Sequence, residues 1–129
     1  MIVDTSVIIA MVAGEPEARA FAQLIGGHAC RISAGSWVEV GVLMARRFRA
    51  VAFDRPEQLR AALKIVIAPV SVDEAVLTHD AFRRFGQASG HAAGLNFGDC
   101  FAYALAKLSG EPLLFKGDDF THTDVVPAL

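Results

Sequence analysis

The sequence predicts an α/β sandwich built on a short, mainly parallel sheet. Two observations carry that reading. Short apolar runs at Met1–Val3, Ala29–Ile32, Ile65–Val70 and Pro112–Phe115 read as strands, and segments with helical spacing of apolar residues alternate with them. The chain also has 129 residues, 53% of them hydrophobic, which suits a single domain over 1–129 with a substantial core.

The elements follow in order. Met1-Ile2-Val3 is the first strand and ends at Asp4-Thr5-Ser6. A helix follows through Val7–Val12, and Gly14 breaks it. Pro16 suits the first turn of a second helix, Glu17 to Ile25, which stops at Gly26-Gly27. Ala29 to Ile32 is the second strand. Ser33 or Ser36 caps a third helix that runs to about Arg49, with Trp37, Val40, Met44 and Phe48 as its core stripe. Glu39 lies on a different stripe, with Ser36, Val42, Leu43 and Arg46. Pro56 opens a fourth helix through Leu59, Leu63 and Lys64. Ile65–Val70 is the third strand, and Pro69 suggests an edge position or a strand end.

Ser71-Val72-Asp73-Glu74 is a capping box, and the helix it starts carries Val76, Leu77, Phe82 and Phe85 inward. Gln87 to Gly94 is a Gly/Ala/His loop. The stretch Leu95–Leu108 then reads as a buried helix, apolar almost all round, capped by Asn96 and ending at Gly110. Asp99 sits in its first turn, near the positive end of the helix dipole. Pro112–Phe115 is the fourth strand and breaks at Lys116–Phe120. Val125-Val126 is a candidate fifth strand, for a sheet of four to five strands.

The balance of 14 acids against 12 bases, net charge −2, is no nucleic-acid signature in itself. A polyanion partner would need a local basic patch beside a local acidic cluster. Arg46, Arg47, Arg49, Arg83, Arg84 and Lys116 are the candidate bases, and the loop Gly90–Gly94 is a candidate contact. Cys30 and Cys100 lie in apolar contexts without metal-ligand spacing and read as buried free thiols, which fits a reducing cytoplasm. No basic region precedes an apolar run at the N-terminus, and no run is long enough to span a membrane.

In a parallel α/β sheet, strand C-termini and helix N-termini share one edge, where ligands bind. Asp4, Glu39, Asp99 and the pair Asp118-Asp119 all fall on that edge. Each has an ordinary structural role available: Asp4 as a helix cap, Asp99 satisfied by first-turn amides, Asp118 or Asp119 as turn residues. Glu39, a lone acid among valines, has the weakest such role. The joint placement is the specific feature. Carboxylates on one rim repel each other, and a hard divalent cation removes that conflict. Mg²⁺ takes oxygen ligands and keeps several waters, so one or two direct carboxylates suffice. A metal-activated water beside a phosphate site is equipment for phosphodiester hydrolysis by in-line attack. The lack of His/Cys ligand spacing argues against zinc, and the lack of a Gly-rich phosphate loop against a nucleoside-triphosphate enzyme.

Ile2-Val3-Asp4-Thr5-Ser6 resembles the opening of PIN-domain ribonucleases. Glu39, the block Asn96-Phe97-Gly98-Asp99-Cys100-Phe101-Ala102-Tyr103-Ala104 and the block Leu114-Phe115-Lys116-Gly117-Asp118-Asp119-Phe120 resemble its VapC toxin branch, and the likeness covers essentially the whole chain. The resemblance implies a PIN-like three-layer α/β/α sandwich. It implies a Mg²⁺- or Mn²⁺-dependent endoribonuclease, the toxin of a type II toxin–antitoxin pair, acting on structured RNA of the tRNA or rRNA class. It further implies a cognate VapB-type antitoxin that inserts a segment into the acidic groove, and a homodimer or toxin–antitoxin hetero-oligomer. Carried over by position, Asp4 and Asp99 are the principal metal ligands. Glu39 completes the cluster directly or through water, and Asp118 is the fourth acid, with Asp119 in reserve.

Three other readings compete. A phospho-acceptor receiver domain needs paired acids after the first strand and an acceptor Asp after the third, where this chain has Asp4-Thr5 and Pro69-Val70-Ser71. A phosphatase of the Asp-x-Asp type fails because position 6 is Ser. A catalytically silent PIN fold that only binds RNA would be expected to lack one of the acids, and all four are present.

Overall fold

Four short strands, β1 (Ile2–Val3), β2 (Arg31–Ser33), β3 (Val66–Ala68) and β4 (Leu113–Leu114), form one parallel sheet in the order β3-β2-β1-β4. The computed structural model describes residues 1–48 and 54–129. Ile2 pairs with Arg31 on one side and Leu113 on the other, so β1 is central. The helices are α1 (Thr5–Ala13), α2 (Ala18–Gly26), α3 (Ala34–Arg47), α4 (Arg55–Ala62), α5 (Val72–Phe85) and α6 (Phe97–Ser109).

Strand alternation divides the core in two. Val3, Ile32 and Leu114 face a cluster built with Val7 and Ile8 of α1, Phe21 of α2, and Val40 and Met44 of α3. Ile2 and Leu113 face a second cluster built with Ala81 and Phe85 of α5 and with Ala102, Tyr103 and Leu105 of α6. The predicted layered sandwich is therefore what forms. In α3, Val40 and Met44 are buried, and Trp37 and Phe48 pack against them from partly buried positions. β3 lies at the sheet edge, as Pro69 suggested. Both cysteines are free and buried.

Three expectations change. The C-terminal segment does not form a full strand at Val125-Val126. It makes one parallel bridge, Pro127 to Leu113, with Leu113 N donating to Val126 O at 2.8 Å and Ala128 N to Leu113 O at 2.9 Å. On α5, Val76 and Phe82 face outward, and the buried row is Glu74, Thr78, Ala81 and Phe85. Glu74 can occupy that row because it has a partner: its carboxylate accepts from the Ser33 hydroxyl, while the Ser71 hydroxyl accepts from Glu74 N at 3.0 Å. The Gln87–Gly94 loop is folded on itself. Its Gln87–Ser89 turn is 3₁₀, and the His91 ring stands edge-on to Phe85 with centroids 5.0 Å apart. α3 ends at Arg47 with Phe48 as its C-cap, and Arg49, the expected end, lies outside the described residues.

Gly35 lets α3 approach α6. A Cβ there would lie 2.4 Å from the Phe101 ring. Gly35→Ala is therefore expected to lower the melting temperature by about 3–10 °C, from the ~1–3 kcal/mol that overpacking costs. A calorimetric scan checks this, and an unchanged melting temperature would mean that the helices separate freely.

Candidate active site

The order β3-β2-β1-β4 reverses direction at β1, between β1 and β4, and ligand crevices form at such a switch point. Asp4 follows β1 directly and caps α1. Its Oδ2 accepts from Ser6 N at 2.9 Å and from Ser6 Oγ at 2.6 Å. Its Oδ1 is buried and has no hydrogen-bond partner. The residue is only 1% exposed, and burial pushes its pKa upward, against the pull of the Ser6 bonds.

Asp99 occupies the third position of α6 and completes a capping box. Asn96 Oδ1 accepts from Asp99 N at 2.9 Å, and Asp99 Oδ2 accepts from Asn96 N at 2.7 Å. The first-turn amide role and the site role therefore coexist in one side chain. Burial, then the Asp4 charge, pushes the Asp99 pKa up to about 7, with Glu39 and Asp119 adding to the effect.

Glu39 projects from α3 toward the start of α6. A Cβ on Gly98 would lie 1.8 Å from Glu39 Oε2, so the missing side chain at Gly98 is what makes room for this carboxylate. Burial raises the Glu39 pKa, the Thr5 hydroxyl offsets part of the rise, and the Asp4 charge adds to it.

Asp4, Glu39, Asp99 and Asp119 line a single cleft of about 150 Å³, together with Ser6, Asn96 and Lys116. Asp118 is not on its wall. After β4 the chain turns through Gly117 at φ 97° into a 3₁₀ turn, Asp119–His122. Asp118 stands outside as the exposed residue before that turn, its carbonyl accepting from Thr121 N at 2.9 Å. The fourth acid on the cleft is thus Asp119, the residue held in reserve by the sequence reading. Sequence reasoning also passed over Ser6, which ties Asp4 to Lys116 N at 2.9 Å, and Gly98. A glycine in a helix's first turn, where it costs stability, was the available signal for the latter.

The donor set fits a hard divalent cation: every candidate ligand is an oxygen, and one of these, Asp4 Oδ1, is buried without a partner. Among the described residues, no three acids, histidines or cysteines already close around a point where a metal would sit. The carboxylates line an open cleft, the arrangement suited to an ion that keeps water ligands.

Most of the candidate bases are engaged elsewhere. Lys116 pairs with Glu15 at 2.5 Å and Glu17 at 3.1 Å, and Arg47 reaches Glu15 at 3.4 Å. Arg83 and Arg84 pair with Asp80. Arg49 lies outside the described residues. Arg46 lines a second cavity next to the cleft.

Residues 1–126 match the PIN domain family, and the chain belongs to it. Its relatives place it in the VapC ribonuclease branch. It is 44% identical to ribonuclease VapC42 of Mycobacterium tuberculosis, over 99% of this chain and 98% of that one. It is 45% identical to ribonuclease VapC28 of the same organism, over 100% and 98%. Among solved structures, VapC20 of Mycobacterium tuberculosis, described as a sarcin-ricin loop cleaving toxin, superposes with a TM-score of 0.76. That match has 19% identity and covers 97% of this chain and 95% of VapC20. A chain of a toxin–antitoxin complex from Klebsiella pneumoniae gives 0.67 at 22% identity, over 97% and 93%. Both likenesses support the fold.

Because folded Asp99 binds its proton up to about pH 7 and the unfolded residue only to about 3.8, the folded state holds more protons between those values. Its contribution to stability therefore falls as pH rises through that window. Metal-free Asp99→Asn is expected to melt about 5 °C above wild type at pH 7.5 and within about 1 °C of it near pH 4.5. A lower melting temperature for the variant at pH 7.5 would instead make the ionised acid structural.

Proposed function

We propose that this protein is a Mg²⁺-dependent endoribonuclease, with Mn²⁺ as a substitute, that acts as the toxin of a VapBC-type pair and cleaves structured RNA of the tRNA or rRNA class. The observation that carries the reading is the convergence of Asp4, Glu39, Asp99 and Asp119 on one cleft at the C-terminal edge of the sheet, with Asp4 Oδ1 buried and unpartnered.

Asp4 and Asp99 would hold the cation, and Glu39 and Asp119 would reach it directly or through water. When bound, the cation supplies an activated water and offsets charge on the phosphate. Ser6 occupies one oxygen of Asp4 and leaves the other for ligation. The Asn96 amide fixes the Asp99 carboxylate. Lys116 lines the rim of the cleft, where an arriving RNA phosphate would compete with Glu15 and Glu17 for its ammonium.

The VapC names of the relatives, and a structural neighbour drawn from a toxin–antitoxin complex, support a VapB-type antitoxin as partner. An Arg or Lys from such a partner would replace the cation in the cleft and silence it. A homodimer or a toxin–antitoxin hetero-oligomer is the expected assembly. Two reduced thiols suit a cytoplasmic setting, and among the described residues no helix is long and apolar enough to cross a membrane.

Incubating antitoxin-free protein with total bacterial RNA tests the proposal. Discrete fragments are expected with Mg²⁺ or Mn²⁺ and none with EDTA. Asp99→Asn should lower the rate by on the order of 100-fold or more, and Asp119→Asn should cost more than Asp118→Asn. Wild-type cleavage by Asp99→Asn would sink the metal-site reading. A folded, antitoxin-free protein inactive with every metal would leave the silent RNA-binding PIN fold.

A further inference from the structure

Phe97 is unusual in its placement. It is the first residue of α6, next to Asn96 and two positions before Asp99, yet it is 71% exposed. A large ring there contributes little to the core. The ring is nonetheless oriented: it stands edge-on to Phe101, with centroids 5.0 Å apart and an interplanar angle of 82°.

Phe97 walls a cavity of about 490 Å³, a size typical of small-molecule sites. That cavity shares Glu39, Leu43 and Asn96 with the acidic cleft, so the two adjoin. Its other walls combine exposed Val38 and Val42 with the Gln87 amide and the Arg46 guanidinium. Arg46 has no ion-pair partner among the described residues, unlike Arg47, Arg83, Arg84 and Lys116.

We propose that this cavity is a nucleobase subsite, in which an unstacked base flanking the scissile phosphate lies on the Phe97 ring. The proposal rests on the ribonuclease reading above and deepens it. A base has apolar faces and a hydrogen-bonding edge. The cavity offers a ring and two valines to the faces and an amide, both donor and acceptor, to the edge. Arg46 supplies a cation for the next phosphate along the strand. A strand whose phosphate occupies the acidic cleft passes Asn96 and Glu39 into this cavity, because those residues wall both. On its other side Phe97 borders an almost wholly apolar groove of about 350 Å³ between α5 and α6, lined by Ala75, Phe82 and Phe101 among others. That groove lacks the amide and the free guanidinium, so the polar cavity is the one matched to a base.

The test uses Phe97→Ala, Phe97→Tyr and Gln87→Ala in the metal-dependent cleavage assay, with wild type and Asp99→Asn as brackets. Phe97→Ala should reduce cleavage by about 5-fold to 150-fold, the range that loss of one stacked base gives, while Phe97→Tyr stays within about twofold of wild type. In parallel, nucleoside 5′-monophosphates should shift the NMR signals of Val38, Val42 and Phe97, and ribose 5-phosphate should not. If Asp99→Asn is inactive and Phe97→Ala cleaves at the wild-type rate, the subsite is wrong and the nuclease reading stands. If ribose 5-phosphate shifts those signals as strongly as the nucleotides do, the cavity binds phosphate and not a base, and the proposal fails. If Phe97→Ala instead changes the mass seen by light scattering, Phe97 belongs to a protein interface, which also overturns it. Wild-type activity in Asp99→Asn would remove the nuclease reading itself.

Discussion

The site depends on one unfavourable contact, the placing of Asp4 and Asp99 close together in a dry part of the protein. Burial raises the proton affinity of both, and the Asp4 charge raises that of Asp99 further. The structure relieves only part of this cost. Ser6 satisfies one oxygen of Asp4, Asn96 satisfies one of Asp99, and Asp4 Oδ1 is left over. A residual demand of that kind in a buried carboxylate is answered by a proton or a cation.

The fold creates this contact through backbone geometry more than through side-chain attraction. Parallel pairing on both sides of β1 brings Asp4, the start of α6 and the turn after β4 to one edge. Two glycines then close the distance between helices: Gly35 admits the Phe101 ring, and Gly98 admits the Glu39 carboxylate. Gly98 lies directly against the Glu39 carboxylate, and Gly35 acts through the Phe101 ring. Both determine whether the acids on different elements can share a cleft of about 150 Å³.

Much of this was legible in the sequence because it is local. The Asn96 cap, the break at Gly110 and the opening strand at Ile2-Val3 follow from residue type and short-range spacing, and the shared edge of Asp4, Glu39 and Asp99 follows from placing helix starts and strand ends together. What was missed depends on contacts distant in sequence. Val76 and Phe82 look like core residues until Glu74 is seen to find Ser33, 41 positions away, which turns α5 so that Thr78 and Ala81 face inward. Asp118 and Asp119 are equivalent in sequence, and only the sense of the Gly117 turn separates them. Two adjacent valines make the C-terminal segment a candidate fifth strand, whereas the chain meets β4 at a single bridge.

On the function proposed above, the paired acids form a cation site whose electrostatic cost is built into the fold. The most direct test is calorimetric titration of the metal-free, antitoxin-free protein with Mn²⁺, wild type against Asp99→Asn. Saturable binding by wild type is expected, with an affinity at least about tenfold weaker in the variant and the variant still folded. Equal affinity in the two proteins, or no binding by folded wild type, would contradict it.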